Sequence, residues 1–80
     1  MVKIMVVEDN ERVASSVKKG LASQGYLVNV FGDAEAAIKE IKSVEYDLLI
    51  IDIMLPRMNG IELSKQMRAA YPRIPIIMLT

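Results

Sequence analysis

The feature that most restricts the fold of this chain is a run near its middle, Leu48, Leu49, Ile50 and Ile51, followed at once by Asp52. A short continuous apolar run rich in β-branched residues, with Asp47 before it and Pro56 and Gly60 after it, reads as a strand covered on both faces. Such a strand lies inside a sheet. An ionised carboxylate is costly to bury unpaired, so Asp52, standing where the run ends, is expected to point from the sheet's carboxyl edge into a crevice. An Asp after a strand also commonly closes a turn or caps a helix, and this stretch alone leaves both roles open.

The remaining apolar segments repeat the pattern. Val2 to Val7 is a second buried strand, and it too ends in acid, at Glu8 and Asp9. Asn10 is placed to cap a helix in which Val13, Ala14, Val17 and Leu21 recur at three- and four-residue spacing, with Glu11 near the positive end of the dipole. Gly25 is expected to end that helix as a left-handed C′ residue. Gly20 inside it costs about 1 kcal/mol relative to Ala, a sign of either close packing or local weakness. Leu27 to Phe31 is a shorter strand, made more polar by Asn29, and suits a sheet edge. Asp33 is placed to cap a second helix with Ala34, Ala37, Ile38 and Ile41 on its apolar face, while Glu35, Lys39, Glu40 and Lys42 read as a solvated face. After a loop over Leu55 to Gly60, Leu63, Met67 and Ala70 mark a third helix. Tyr71, preceding Pro72, ends it. Pro75 and Ile76 to Leu79 form a fourth strand, closed by Thr80.

Strands alternating with helices imply a parallel sheet with right-handed crossovers, hence a doubly wound α/β fold. If the more polar second strand takes the edge, the order 2-1-3-4 puts the first and third strand ends side by side, and Glu8, Asp9 and Asp52 would then share one crevice.

Composition narrows the chemistry. Eighty residues allow one domain, with a small core. Ten basic and ten acidic residues cancel, so neither a polyanion nor an anionic membrane is the default partner. The absence of Cys and His excludes a disulfide framework, a thiolate metal site, a Cys nucleophile and the commonest general base. Charges break the apolar runs well short of a membrane span, and the amino terminus is not built like a secretory signal. A cytoplasmic protein is expected. Three carboxylates in one crevice repel, so they either hold protons abnormally or bind a cation. Mg²⁺, which takes a few oxygen ligands and bridges to phosphate, suits a shallow site at a sheet edge. Asp52 could then attack phosphorus to form an aspartyl phosphate, with the Thr80 hydroxyl offered to a phosphoryl oxygen.

At this point the residues resemble a known family. The run Val6-Val7-Glu8-Asp9-Asn10-Glu11, the Asp52 strand end with Met54-Leu55-Pro56 and Met58-Asn59-Gly60, and Ile76-Ile77-Met78-Leu79-Thr80 look like the receiver domain of two-component response regulators. Within that family they look most like the winged-helix DNA-binding branch. The resemblance covers the whole chain and implies a flavodoxin-like (CheY-like) fold, from whose known strand order the 2-1-3-4 order is partly taken. It implies that Asp52 is the phosphoacceptor, taking phosphate from a sensor histidine kinase or a small phosphodonor. Asp9 and Asp52 match the side-chain ligands of Mg²⁺, Glu8 acts through a bound water, the backbone carbonyl of Met54 is the remaining protein ligand, and Thr80 is the switch hydroxyl. Asn59 stands where the family more often has Asp, and either can cap the helix that follows.

Receivers of this kind continue through a fourth helix, a fifth strand carrying a phosphate-pairing Lys, and a fifth helix, none of which is present in these 80 residues. Residues 1–80 are therefore expected to be an incomplete receiver: impaired in phosphotransfer, binding no nucleic acid, and self-associating through the open edge of the fourth strand. Modifying itself without turning over a free substrate, it is not expected to be an enzyme. The main alternative is an assembly fragment that self-associates without phosphotransfer. A haloacid dehalogenase-type phosphatase would need a second Asp where Met54 stands, and a Rossmann nucleotide-binding module would need a G-x-G-x-x-G that the chain lacks.

Overall fold

A computed structural model of the chain describes residues 1–79; Thr80, the expected switch hydroxyl, lies outside the described residues. Its elements run β1 (Lys3–Val7), α1 (Glu11–Ala22), β2 (Leu27–Phe31), α2 (Ala34–Ile41), β3 (Leu48–Asp52), α3 (Gly60–Ala70) and β4 (Ile76–Leu79). All strand pairings are parallel, as the crossover reasoning required, and the order is β2-β1-β3-β4, the one expected with the second strand at the edge. The first strand starts at Lys3, one residue later than its apolar run.

Side chains along β1 and β3 alternate between two core layers, as a pleated strand dictates. Met5, Val7, Leu49 and Ile51 face α2 and α3 and pack with Ala34, Ala37, Ile41, Leu63 and Met67. Ile4, Val6 and Ile50 face the other way, with Val28 and the half-buried Val17 and Leu21 of α1. Burial on both faces explains why β1 and β3 read as continuous apolar runs and not as alternating ones. β2, with Asn29 exposed, takes one edge of the sheet.

The caps are those the sequence places. Asn10 Oδ1 accepts from the N–H groups of Arg12 and Val13, Asp33 Oδ1 from Ala36, and Asn59 Oδ1 from Glu62. Beyond α1, Gly25 has φ +93. Its N–H bonds Ala22 O and that of Tyr26 bonds Leu21 O, the paired hydrogen bonds by which a left-handed glycine closes a helix end. Gly20 has no neighbouring atom within 4 Å of where a Cβ would sit, so it is a weakness of α1 and not a packing requirement.

Three expectations need correction. Val13 is 40% exposed, so Ala14 and not Val13 seats α1 on the sheet. Ala70 is exposed, and α3 is anchored by Leu63 and Met67. The charged face of α2 is not merely solvated. Glu40 Oε2 accepts from the Tyr46 hydroxyl at 2.7 Å, that hydroxyl accepts from Asn29 Nδ2 at 3.0 Å, and Glu35 pairs with Arg57. Tyr46 is buried, and a buried phenol must find hydrogen-bond partners, which here come from β2 and α2.

Candidate functional site

β1 and β3 are neighbours with Val7 opposite Ile51, so the residues that follow β1 and the last residue of β3 meet at one end of the sheet. Carboxylate oxygens of Glu8, Asp9 and Asp52 all lie within 4.8 Å of one another. The spatial expectation from sequence is met. Glu8 and Asp52 are buried, at 6% and 9% exposure, whereas Asp9 is exposed, so the cluster opens to solvent on one side.

Local backbone contacts fix the two buried acids. Glu8 N–H bonds Phe31 O at 2.9 Å, and Glu8 Oε2 accepts from Asn10 N–H at 3.0 Å. Asp52 Oδ1 accepts from Met54 N–H at 3.1 Å, a side-chain turn that aims the carboxylate along the start of the following loop. Met54 itself is solvent-exposed on that loop.

Burial, together with the adjoining Asp52 and Asp9 carboxylates, pushes the Glu8 carboxyl above its ordinary value, and the hydrogen bond from Asn10 N–H offsets part of the rise. Arg57 makes the ion pairs found among the described residues, to Asp33 and Glu35. No described Lys or Arg neutralises the three acids. An all-oxygen donor set of like charges with no protein counter-ion is the chemistry that a hard divalent cation satisfies. The residues therefore fit Mg²⁺.

One contributor escaped the sequence reading. Gly60, taken there as a loop residue, is the first residue of α3 and is buried against β3. A methyl group on it would overlap the Asp52 carbonyl oxygen and lie 2.7 Å from the Asp52 carbonyl carbon and 2.9 Å from Ile53 Cα. Its N–H bonds Ile53 O at 2.9 Å. Only a glycine lets the start of α3 sit this close to the strand end that carries Asp52. The one available signal was Gly directly after a cap residue, where side chains are usually tolerated.

Residues 4–80 match the family model described as "Response regulator receiver domain". The chain is 40% identical over 78 residues to the alkaline phosphatase synthesis transcriptional regulatory protein PhoP of Bacillus subtilis, covering 98% of this chain and 32% of that protein. It is 37% identical over 79 residues to the response regulator MprA of Mycobacterium ulcerans, covering 99% of this chain and 34% of that one. The chain thus spans about a third of the length of these relatives. Among solved structures, the response regulator TrrA of Thermotoga maritima in complex with Mg²⁺-BeF superposes with a TM-score of 0.96 at 34% identity, over 100% of this chain and 70% of that one. TrrA in complex with the histidine kinase ThkA gives 0.94 at 34% identity, over 100% and 69%.

Proposed function

The chain belongs to the response regulator receiver domain family, and from that premise we propose that it is a phosphoacceptor module in which Asp52 takes a phosphoryl group from a sensor histidine kinase. A carboxylate oxygen of Asp52 attacks the phosphorus of a phosphohistidine or of a small phosphodonor. The P–O bond forms as the bond to the leaving group breaks, and the electron pair departs with the histidine nitrogen or the donor oxygen. Asp9 and Asp52 would hold Mg²⁺ by their side chains, with Glu8 acting through a water and the Met54 backbone carbonyl as the remaining protein ligand. Bound there, the ion would offset charge on the group in transfer. Thr80 keeps its proposed role as switch hydroxyl by sequence position alone. Because the module alters its own carboxylate, it is not an enzyme with a free substrate, and a cytoplasmic location accompanies this reading. No described helix is long and apolar enough to cross a membrane.

The observation that carries the proposal is the convergence of Glu8, Asp9 and Asp52 within 4.8 Å with no cationic side chain among the described residues paired to them. The Mg²⁺-BeF complex of TrrA and its complex with ThkA support it by likeness. The test is incubation with an acyl phosphate and Mg²⁺, read by intact mass and peptide mapping. One phosphoryl group on Asp52, absent in Asp52→Asn, is expected. An unlabelled wild-type chain, or a label that survives Asp52→Asn, would refute the assignment.

A further inference from the structure

The loop from Ile53 to Asn59 is tied at both ends to the site: by Met54 N–H on Asp52 Oδ1, and by Gly60 N–H on Ile53 O. Midway along it Arg57 has φ +62, the left-handed region, and among the described residues no other non-glycine does. A residue with a Cβ is disfavoured there and stays only if other contacts hold it. Those contacts are to α2. Arg57 Nη2 lies 3.1 Å from Asp33 Oδ2, and Arg57 Nε lies 2.9 Å from Glu35 Oε1. Asp33 Oδ1 meanwhile caps α2 through Ala36 N–H. One planar guanidinium therefore spans two carboxylates at the start of a helix that is itself packed on the core, a geometry that Lys cannot reproduce.

We infer that Arg57 is a positioning residue: its bridge to Asp33 and Glu35 holds the β3–α3 loop so that the Met54 carbonyl stays where it completes the cation site. The inference rests on the reading of that site given above. Arg57 touches neither the acids nor the reacting group, and it acts through the loop backbone. Arg57 and Glu35 are exposed, at 62% and 72% of their side-chain surface, and Asp33 is half-buried at 32%. The hold is therefore modest and weakened by salt.

Calorimetric titration of the 80-residue chain with Mg²⁺ alone tests this, at low and high KCl. Arg57→Ala is expected to raise the Mg²⁺ Kd by up to about fivefold, the range of an exposed pair, and Arg57→Lys by less. The loss should shrink when Glu35→Gln is already present and at high salt, while the cation-free melting temperature moves little. Asp33 is left intact because it caps α2. A Kd in Arg57→Ala equal to wild type, or a loss that is independent of both Glu35 and salt, would overturn the inference. Acyl phosphate labelling of the same samples separates the two levels. A wild-type chain labelled at Asp52, with Mg²⁺ affinity indifferent to Arg57, removes only the positioning role. A wild-type chain that neither binds Mg²⁺ nor takes label removes both.

Discussion

Replacing Gly60 with Ala should be the most damaging single-methyl change in the chain. The added carbon would overlap the Asp52 carbonyl oxygen and sit 2.7 Å from its carbon, where non-bonded carbons prefer about 3.5–4.0 Å. Both clashing groups are backbone, so no side chain can rotate away. Either α3 lifts off β3 by about 1 Å, straining the Leu63 and Met67 anchors, or the end of β3 shifts. Overpacking of this kind costs about 1–3 kcal/mol, and loss of the Gly60–Ile53 hydrogen bond adds about 1 kcal/mol. An 80-residue domain has about 4–12 kcal/mol in all, and each kcal/mol moves its Tm by about 4–8 °C. Circular-dichroism melts should therefore show Gly60→Ala about 10–25 °C below wild type. Gly20→Ala is the matched control. Open space surrounds that position inside α1, so the same methyl should raise stability by about 0.5–1 kcal/mol through helix propensity. If Gly60→Ala melts within about 3 °C of wild type, the close approach of α3 to Asp52 does not govern this region.

Other expectations concern charge and the sheet edge. Because the fold raises the Glu8 carboxyl, it favours the protonated form. That contribution is complete below the ordinary value of 4.5 and is lost as pH climbs through the raised one. Urea midpoints of the cation-free chain should fall across that window, Mg²⁺ affinity should rise across it, and Glu8→Gln should flatten the stability slope; an identical slope in the variant would count against the raised Glu8 carboxyl. Tyr46→Phe strips Asn29 and Glu40 of their shared partner and should cost about 1–2 kcal/mol in urea unfolding, a neutral result meaning that water replaces the hydroxyl freely. Burial above all holds the Tyr46 phenol above its ordinary value, with Asn29 lowering it in part and Glu40 raising it, so ultraviolet titration should show Tyr46 ionising late. Among the described residues β4 has a strand partner on one side only, and Ile77 is 49% exposed. We expect the 80-residue polypeptide to self-associate in sedimentation velocity and Ile77→Lys to favour the monomer; a wild-type monomer at high concentration would contradict this.

The fold was readable because β1 and β3 are covered on both sides and so advertise themselves as unbroken apolar runs, each ending in acid. The site followed from the same fact: once β1 and β3 are adjacent, Glu8, Asp9 and Asp52 have nowhere else to go. What stayed hidden depends on tertiary approach between segments whose residues look ordinary in a line. Gly60 shows its role only when α3 folds back on the strand that carries Asp52. Glu35 and Glu40 match every other surface glutamate of an amphipathic helix until Arg57 and Tyr46 arrive from later in the chain. Val13 has the right spacing for the core, yet of the two neighbours only Ala14 is buried against the sheet.

The central place of β1 also bears on synthesis. Of these strands β1 is made before the others and takes its inner neighbour from β3, with Ile4 opposite Leu48, so a nascent chain can pair it with β2 alone until more than half of these residues have emerged. Pairing across that separation carries a loop-closure entropy that a local hairpin does not. It is also the pairing that delivers Asp52 to Glu8 and Asp9, so the acidic pocket forms only once β3 has joined the sheet.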